Sequence, residues 1–428
     1  MSNAELSVAF FLQMAIIIAA CRAVGWLAKK YLGQPQVVGE MIAGVILGPS
    51  LFGLLAPDLQ ATLFPKESRS ILFVGAQLGV GLYMFLVGLG FQRDHFRTNA
   101  RSAAAVSLAG MAAPFLVAVS IAPWLVSMGL FGEGVVTWQA MLFLGAAISI
   151  TAFPMLARII HERGLSGTRL GSLSLSAGAI DDAGAWCVLA IVLASFGDGP
   201  LVAVKAIAGG GLFALFMLTL GPRLLAPLGR RVEREGRLSP TMLGGVLILF
   251  MLCAWAMDAV GIHAVFGGFI LGVAMPRGVL SREIKRQLEP FAVLVLLPMF
   301  FTFSGLNTQL TMVNSLGLVA VTAVILAGSI LAKGGACWAA ARLTGQDNPT
   351  ALGIGALMNA RGLMELIIIN IGLQRGIIGP ALFSILVLMA IITTLMASPL
   401  FEWVYGRKAR GRGELKAVDD ARPAQASV

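Results

Sequence analysis

Thirteen long apolar stretches follow one another along this chain of 428 residues, and they limit what it can fold into. Each is long enough to cross the hydrocarbon of a bilayer, about 30 Å thick, as a helix. In lipid every backbone polar group needs a partner within the protein, so such segments form helices. The sequence therefore predicts an all-α integral membrane protein with about thirteen transmembrane helices. The predicted spans are 6–28, 36–54, 70–91, 102–127, 137–160, 168–196, 201–225, 239–259, 262–276, 288–305, 314–342, 349–374 and 377–405.

The composition favours the same class. Only 12% of the residues are charged, about half of what a soluble domain carries. The 51 glycines are typical of closely packed membrane helices. No phosphate-binding loop of the kind found in ATP-driven pumps is present in the sequence. We therefore expect a multi-pass membrane protein that is not an ATP-driven pump.

The basic residues indicate the orientation. Of 31 Lys and Arg residues, 24 fall in one set of alternating loops, at the span ends that border those loops, or in the tail. Three fall in the opposite loops, and four fall further inside spans. Basic residues collect on the cytoplasmic side, so the N-terminus is predicted outside and the C-terminus inside. The net charge of +10 then reflects membrane orientation, and we expect no nucleic-acid partner. Residues 406–428 are predicted to be a disordered cytoplasmic tail.

Two adjacent aspartates, Asp181 and Asp182, stand near the middle of the predicted span 168–196. A carboxylate at the centre of a membrane helix costs about 2.5–3.5 kcal/mol on insertion scales, which makes such residues functional candidates. Neighbouring helix positions point about 100° apart. One aspartate can therefore face a neighbouring helix while the other faces a cavity.

Three further charged residues lie within predicted spans. Lys333 is too far from either end of span 314–342 for its ammonium to reach water, so an aspartate at the same depth is the expected counter-ion. Arg361 and Glu365 are four residues apart and share a helix face, where they can neutralise each other. Asn359 lies near them and can ligate an ion or orient the pair.

Two spans contain predicted interruptions. Pro154 breaks the helical pattern of span 137–160, where Ser149 and Thr151 can satisfy freed carbonyls or bind an ion. Asn359 and Gly362 mark a second break, in span 349–374. These spans are seven apart in the order of spans, so they run in opposite directions. That arrangement predicts inverted repeats whose discontinuous helices meet at the midplane.

Four segments together resemble one protein family. They are QPQVVGEMIAGVILGPSLFG, TAFPMLARIIHERGL, AIDDAGAW and MNARGLMELIIINIGL, in that order along the chain. They are similar to the monovalent cation–proton antiporter superfamily, and most to its second branch, which includes bacterial Na⁺/H⁺ and K⁺/H⁺ exchangers. The resemblance covers nearly the whole chain.

The resemblance implies a transmembrane exchanger domain over 1–405 with two crossed, discontinuous helices. The core bundle would comprise 102–196 and 314–405, and a dimerisation scaffold 6–91 and 201–305. By the family pattern Asp182 matches the aspartate that binds the ion and the proton. Asp181 matches the partner of Lys333. Homodimers and elevator-like movement of the core are also implied. So are a transporter rather than an enzyme, no cofactor, and a multi-pass location in the bacterial plasma membrane.

These observations predict exchange of Na⁺ or K⁺ for protons. Asp182, Asp181 and Thr151 are the expected ion- and proton-binding residues, and the transported cation is the only metal expected, at Asp182. Lys333 is the expected salt-bridge partner. A core polar network would contain Ser149, Asn359, Arg361 and Glu365. Two protons per cation would make the exchange electrogenic. A cation channel, a transport-dead sensor and a symporter of an organic anion remain as alternatives.

Overall fold

The computed structural model of the protein describes residues 2–34, 36–90, 93–165, 168–193, 195–196, 199–261, 264–308 and 310–406. These residues are almost entirely helical. Among them there is no β-strand, and one isolated bridge pairs Phe131 with Ile378. The last helical segment ends at Gly406, so the rest of the predicted tail, 407–428, lies outside the described residues.

Each predicted span corresponds to one helix or to a run of helices. The α-helices are α1 (Asn3–Leu32), α2 (Gln36–Leu47), α3 (Phe52–Leu55), α4 (Pro57–Leu63), α5 (Arg69–Gly90), α6 (Arg93–Ser127), α7 (Thr137–Ser149), α8 (Phe153–Glu162), α9 (Arg169–Leu193), α10 (Gly199–Thr219), α11 (Gly221–Glu235), α12 (Pro240–Ala259), α13 (Ala264–Ala274), α14 (Val279–Phe291), α15 (Leu297–Leu306), α16 (Leu316–Leu343), α17 (Asn348–Leu357), α18 (Leu363–Gln374) and α19 (Pro380–Phe401). Short 3₁₀ turns occupy Lys66–Ser68 and Leu310–Met312, and π-helical segments occupy Ala292–Leu296 and Glu402–Gly406.

The described residues hold eight helices that are long and apolar enough to cross a membrane, or nine if α10 and α11, bent by 44°, count as one span. The prediction of an all-helical, multi-pass membrane protein is therefore confirmed. Helix α13, with 11 residues, is only about 16 Å long, which is shorter than the hydrocarbon layer. The count of thirteen spans and the orientation stay predictions.

The chain divides into two compact units. The first comprises Met1–Leu27, Gly39–Phe91 and Trp186–Gln309. Within it, α5 and α13 pack backbone against backbone: a Cβ on Gly88 would overlap the carbonyl of Phe269, and one on Gly272 would overlap that of Phe85. Small residues at such contacts bring membrane helices into van der Waals range, where apolar side chains alone give little driving force.

The second unit comprises Ala28–Val38, Gln92–Ala185 and Leu310–Val428. Helices α6, α7 and α16 pack together in it, and α16 also packs on α17. A buried apolar cluster forms around one end of these helices and includes Leu156, Leu173, Ile354 and Phe401. This unit contains all five intramembrane charged residues that the sequence singled out, and its packing fixes their positions.

Candidate functional site

Two helices of the second unit are interrupted, and the interruptions touch each other. Helix α7 ends at Ser149 and α8 begins at Phe153, while α17 ends at Leu357 and α18 begins at Leu363. The unwound segments are thus 150–152 and 358–362. The amide of Ala152 donates to the carbonyl of Ala360 at 3.2 Å, and the Thr151 hydroxyl lies 3.3 Å from the carbonyl of Met358.

Local sequence explains where the interruptions fall. Pro154 is the second residue of α8, a position where a missing backbone N–H leaves no helical hydrogen bond unmade. A helix continuing from α7 through Pro154 would also lack the hydrogen bond to the carbonyl of Ile150, four residues earlier. Gly362 directly precedes α18, and a Cβ there would lie 2.6 Å from Cγ of Met155. Glycine therefore permits the two unwound segments to approach.

Breaking α7 leaves carbonyl groups at its C-terminal end without helical partners. Two cations supply donors. Lys333 Nζ donates to the carbonyl of Ser149, and Arg361 Nη2 donates to that of Ile148 at 2.6 Å. Both positive charges also complement the negative end of the α7 dipole. The Thr394 hydroxyl donates to the carbonyl of Arg361 at 2.7 Å, which holds the second unwound segment.

Asp181 is fully buried and has a partner on each oxygen. Its Oδ1 accepts a short hydrogen bond from the Ser107 hydroxyl. Its Oδ2 accepts from the Thr151 hydroxyl at 2.6 Å and lies 3.3 Å from Lys333 Nζ. Lys333 also donates to the carbonyl of Gly110 at 3.2 Å. A buried ion pair is tolerable when further hydrogen bonds satisfy its members, as they do here.

Asp182 is equally buried but has a different environment. It is 2% exposed, and its Oδ1 accepts no hydrogen bond from any residue that the structure describes. It follows Asp181 in α9, so its side chain points about 100° away. A buried carboxylate oxygen without a donor is costly, and binding a proton or a cation removes that cost.

Arg361 and Glu365 form a second buried ion pair, with Nη1 and Oε1 3.6 Å apart and neither side chain exposed. Glu365 lies in the first turn of α18, where the helix dipole favours an acidic group. Nearby, Asn359 donates from Nδ2 to the carbonyl of Gly355 at 2.9 Å, and its Oδ1 has no hydrogen-bond partner among the described residues.

The structure brings together most of the residues that the sequence singled out. Thr151 was expected to bind the ion together with both aspartates, and its hydroxyl donates to Asp181, because the unwound segment after α7 places it on that side. Ser149 contributes its backbone carbonyl to Lys333. Pro154 lies in the first turn of α8, just after one unwound segment, and Gly362 is the last residue of the other.

Sequence reasoning missed Ser107 and Thr394. Both are hydroxyl residues inside apolar helices, α6 and α19. Most such residues bond a carbonyl of their own helix, as Thr394 also does with Ala390 at 2.7 Å. Only tertiary packing reveals that Ser107 faces a carboxylate.

Comparison with known proteins places this site in context. The profile of the family described as "Sodium/hydrogen exchanger, transmembrane" matches residues 14–405. The Na(+)/H(+) antiporter NhaS4 of Synechocystis sp. is 39% identical over 393 residues, which are 91% of this chain and 95% of that protein. The Na(+)/H(+)-K(+) antiporter GerN of Bacillus cereus is 26% identical over 409 residues, which are 93% of this chain and 97% of that protein.

Longer relatives exist as well. The Cation/H(+) antiporter 18 of Arabidopsis thaliana is 35% identical over 414 residues, and this chain spans 50% of its length. The family match includes both helix interruptions, the aspartate pair and Lys333 within one continuous stretch. The chain belongs to the sodium/hydrogen exchanger family.

Proposed function

We propose that this chain is a secondary active antiporter that exchanges a monovalent cation, Na⁺ or K⁺, for protons. The observation that carries the proposal is the contrast between the two aspartates. Asp181 is satisfied by Ser107, Thr151 and Lys333, whereas the buried Oδ1 of Asp182 has no hydrogen-bond donor among the described residues. Asp182 is therefore the residue available to a transported ion.

The charges of the second unit support exchange rather than simple binding. Among its buried groups are three carboxylates (Asp181, Asp182 and Glu365) and two cations (Lys333 and Arg361). With both ion pairs intact, the carboxylate of Asp182 is left over. One monovalent cation or one proton at Asp182 neutralises the set. Because a single site takes either ligand but not both, the two ions compete for it.

The same excess charge couples binding to movement. A core whose Asp182 carboxylate is empty is costly to move past an apolar barrier, whereas a core whose Asp182 holds a cation or a proton is not. The proposal therefore includes alternating access, elevator-like, in which the second unit is the moving core. The first unit would serve as scaffold and as the contact of a homodimer. The proposal also includes inverted repeats within thirteen spans, an N-terminus outside the cell and a location in the plasma membrane.

We also propose that the exchange is electrogenic. Protonation of Asp181 as well as Asp182 would neutralise the partner of Lys333 and leave the proton-loaded core one charge more positive than the cation-loaded core. Moving that charge is worth about 2.3 kcal/mol per 100 mV. In proteoliposomes an inside-negative potential should then change the rate of Na⁺/H⁺ exchange. A rate that is indifferent to the potential argues for one-to-one exchange.

Replacement of Asp182 tests the central assignment. In everted vesicles, proton flux is measured on adding Na⁺, K⁺ or Li⁺ separately. Asp182→Asn keeps the shape of the side chain but cannot take up a proton or offset a cation, so we expect no cation-dependent flux. Asp58→Asn is the matched control, because Asp58 is exposed in the first turn of α4. Persistent exchange by Asp182→Asn would refute the assignment.

A further inference from the structure

Two amphipathic helices of the first unit carry a basic surface that ion exchange does not use. Helix α11 follows the apolar helix α10 after a bend of 44° and leads to the apolar helix α12. Helix α14 follows the apolar helix α13 and leads to α15. Both are rich in charged residues and pack against each other. Because each joins two apolar helices, the pair lies where hydrocarbon gives way to lipid headgroups.

The buried side of α11 fixes which residues point outward. Gly221, Gly229 and Val232 are buried on one side of the helix. A Cβ on Gly229 would lie 2.7 Å from Cβ of Pro276, in the link between α13 and α14. This close contact lies on one side of α11, and the opposite side is exposed.

That outward face carries three arginines, Arg223, Arg230 and Arg234, spaced seven and four residues apart, which aligns them along the helix. All three are exposed, and none has a hydrogen bond or an ion pair with a residue that the structure describes. Two other basic residues of these helices have an acidic partner. Arg231 lies 3.0 Å from Glu235, and Arg286 lies 2.7 Å from Glu283.

Apolar side chains accompany the arginines. Leu220 is 45% exposed and Leu224 is 65% exposed, at the end of α11 nearest to α10. Exposed leucines beside unpaired guanidinium groups suit a partner that offers acyl chains and anionic oxygens together. A guanidinium presents a fork of donors that matches the oxygens of a phosphate. A soluble anion would use the arginines and leave the leucines in water.

We propose that Arg223, Arg230 and Arg234, with Leu220 and Leu224, form a binding surface for the phosphate groups of anionic phospholipids in the leaflet that α11 borders. The lipid phosphates supply the negative charges that the arginines lack within the protein. The leucines insert among the acyl chains beside the headgroups. Such lipids would hold the end of α10 and the α11–α14 pair at a fixed depth.

Lipid binding by the full-length protein, delipidated in an uncharged detergent, tests this proposal independently of transport. The probes are a fluorescent phosphatidylglycerol and a phosphatidylcholine with the same label and acyl chains. The unsubstituted protein should prefer phosphatidylglycerol, and added salt should weaken the preference. In R223Q/R230Q/R234Q we expect phosphatidylglycerol to bind about a hundredfold more weakly, since each basic residue near an anionic surface contributes about fivefold. Phosphatidylcholine binding should not change.

The triple variant R223K/R230K/R234K is the matched control. It keeps the three charges and should keep most of the preference for phosphatidylglycerol. Because all three sites are exposed, an unchanged thermal unfolding midpoint in both variants shows that folding is intact. Equal phosphatidylglycerol binding by the glutamine variant and the unsubstituted protein would overturn the proposal. Displacement of the probe by free glycerophosphate would overturn it as well, because it would indicate a site for soluble anions.

Discussion

The amide of Ala152 and the carbonyl of Ala360 form a hydrogen bond of 3.2 Å that joins the unwound segments of two helices. Next to it, Thr151 reaches both the carboxylate of Asp181 and the carbonyl of Met358. Thr151, which donates to the carboxylate of Asp181, is therefore positioned by contacts of both helix interruptions. A displacement of either unwound segment changes the surroundings of the aspartate pair.

We expect Gly362→Ala to disturb this junction. The added methyl group would lie 2.6 Å from Cγ of Met155, which is close to the backbone of α8 and has little freedom to move aside. Overpacking of this kind costs about 1–3 kcal/mol. The midpoint of heat-induced unfolding of the purified protein should fall, and cation-dependent proton flux should fall with it.

Gly335→Ala is the matched control for this substitution. An added Cβ at Gly335, in α16, meets no atom within 4 Å. Alanine is also the better helix former, by up to about 1 kcal/mol. This variant should unfold at the same temperature as the original protein or higher. Equal midpoints for the two alanine variants would contradict the proposed close approach at Gly362.

The ion pair between Asp181 and Lys333 should show strong coupling in a double-mutant cycle. Lys333→Gln leaves a buried carboxylate without a cation and removes the donor to the carbonyls of Ser149 and Gly110. Breaking a buried pair from one side costs about 3–5 kcal/mol. Asp181→Asn combined with Lys333→Gln removes both charges, so the double variant should be clearly more stable than the sum of the single effects implies.

Thermal unfolding of the four proteins of the cycle measures this coupling. An interaction above about 0.5 kcal/mol is expected for residues in direct contact. Additive effects within that range would mean that the two charges do not stabilise each other. The same preparations report on transport, since Lys333→Gln should also change the dependence of exchange on membrane potential.

Much of this site is predictable from the sequence because charge is so costly in lipid. Asp181, Asp182 and Lys333 stand out against apolar surroundings, and the requirement for a counter-ion anticipates the contact of Asp181 with Lys333. The interruption before Pro154 follows from its missing backbone donor, which leaves the carbonyl four residues earlier without a helical partner. These inferences need only the chemistry of neighbouring residues in the sequence and the apolar nature of the lipid around them.

The remainder depends on packing that the sequence does not encode locally. The partners of Thr151 follow from how its unwound segment is placed against α9 and Met358. Ser107 in α6 approaches Asp181 in α9, and the two residues are 74 positions apart in the chain. The role of Arg361 as a donor to Ile148 needs the contact of two elements more than 200 residues apart. The spacing of residue types along the sequence does not indicate such contacts.

Replacing Arg163 with lysine should lower the stability of the protein. Its Nη1 lies 2.9 Å from Oε1 of Glu402, its Nη2 donates to the carbonyl of Gly33 at 2.7 Å, and it also contacts the Ser398 hydroxyl. One guanidinium therefore fastens the residues after α8 to α19 and to the link between α1 and α2. A single ammonium cannot reach all three partners.

We expect Arg163→Lys to be destabilised almost as much as Arg163→Gln, by about 1 kcal/mol, since the pair is partly exposed to solvent. Thermal unfolding compares the two variants with Arg101→Lys, an exposed arginine of α6 that serves as control. If the lysine variant unfolds at the temperature of the unsubstituted protein, Arg163 stabilises the protein by its charge alone. The several donors of its guanidinium would then contribute nothing.

Competition at Asp182 predicts how exchange depends on pH. When pH falls, protons occupy the carboxylate and displace the cation, so more cation is needed to reach the same rate. If only the proton at Asp182 competes with the cation, the apparent KM for Na⁺ should rise about tenfold for each pH unit in the range where the proton wins, and a steeper rise would mean that the proton at Asp181 competes too. When Na⁺ is saturating on the side of the membrane from which it binds, the rate should change much less with pH.

Proton flux in proteoliposomes, measured over a series of Na⁺ concentrations at several pH values, tests this expectation. Thr151→Val is an informative companion, because it removes the hydroxyl that donates to Asp181 and leaves Asp182 intact. Its pH dependence should keep the same slope while its overall rate falls. A KM that is independent of pH, combined with a maximal rate that falls with acidity, would mean that protons act at a site other than the one that holds the cation.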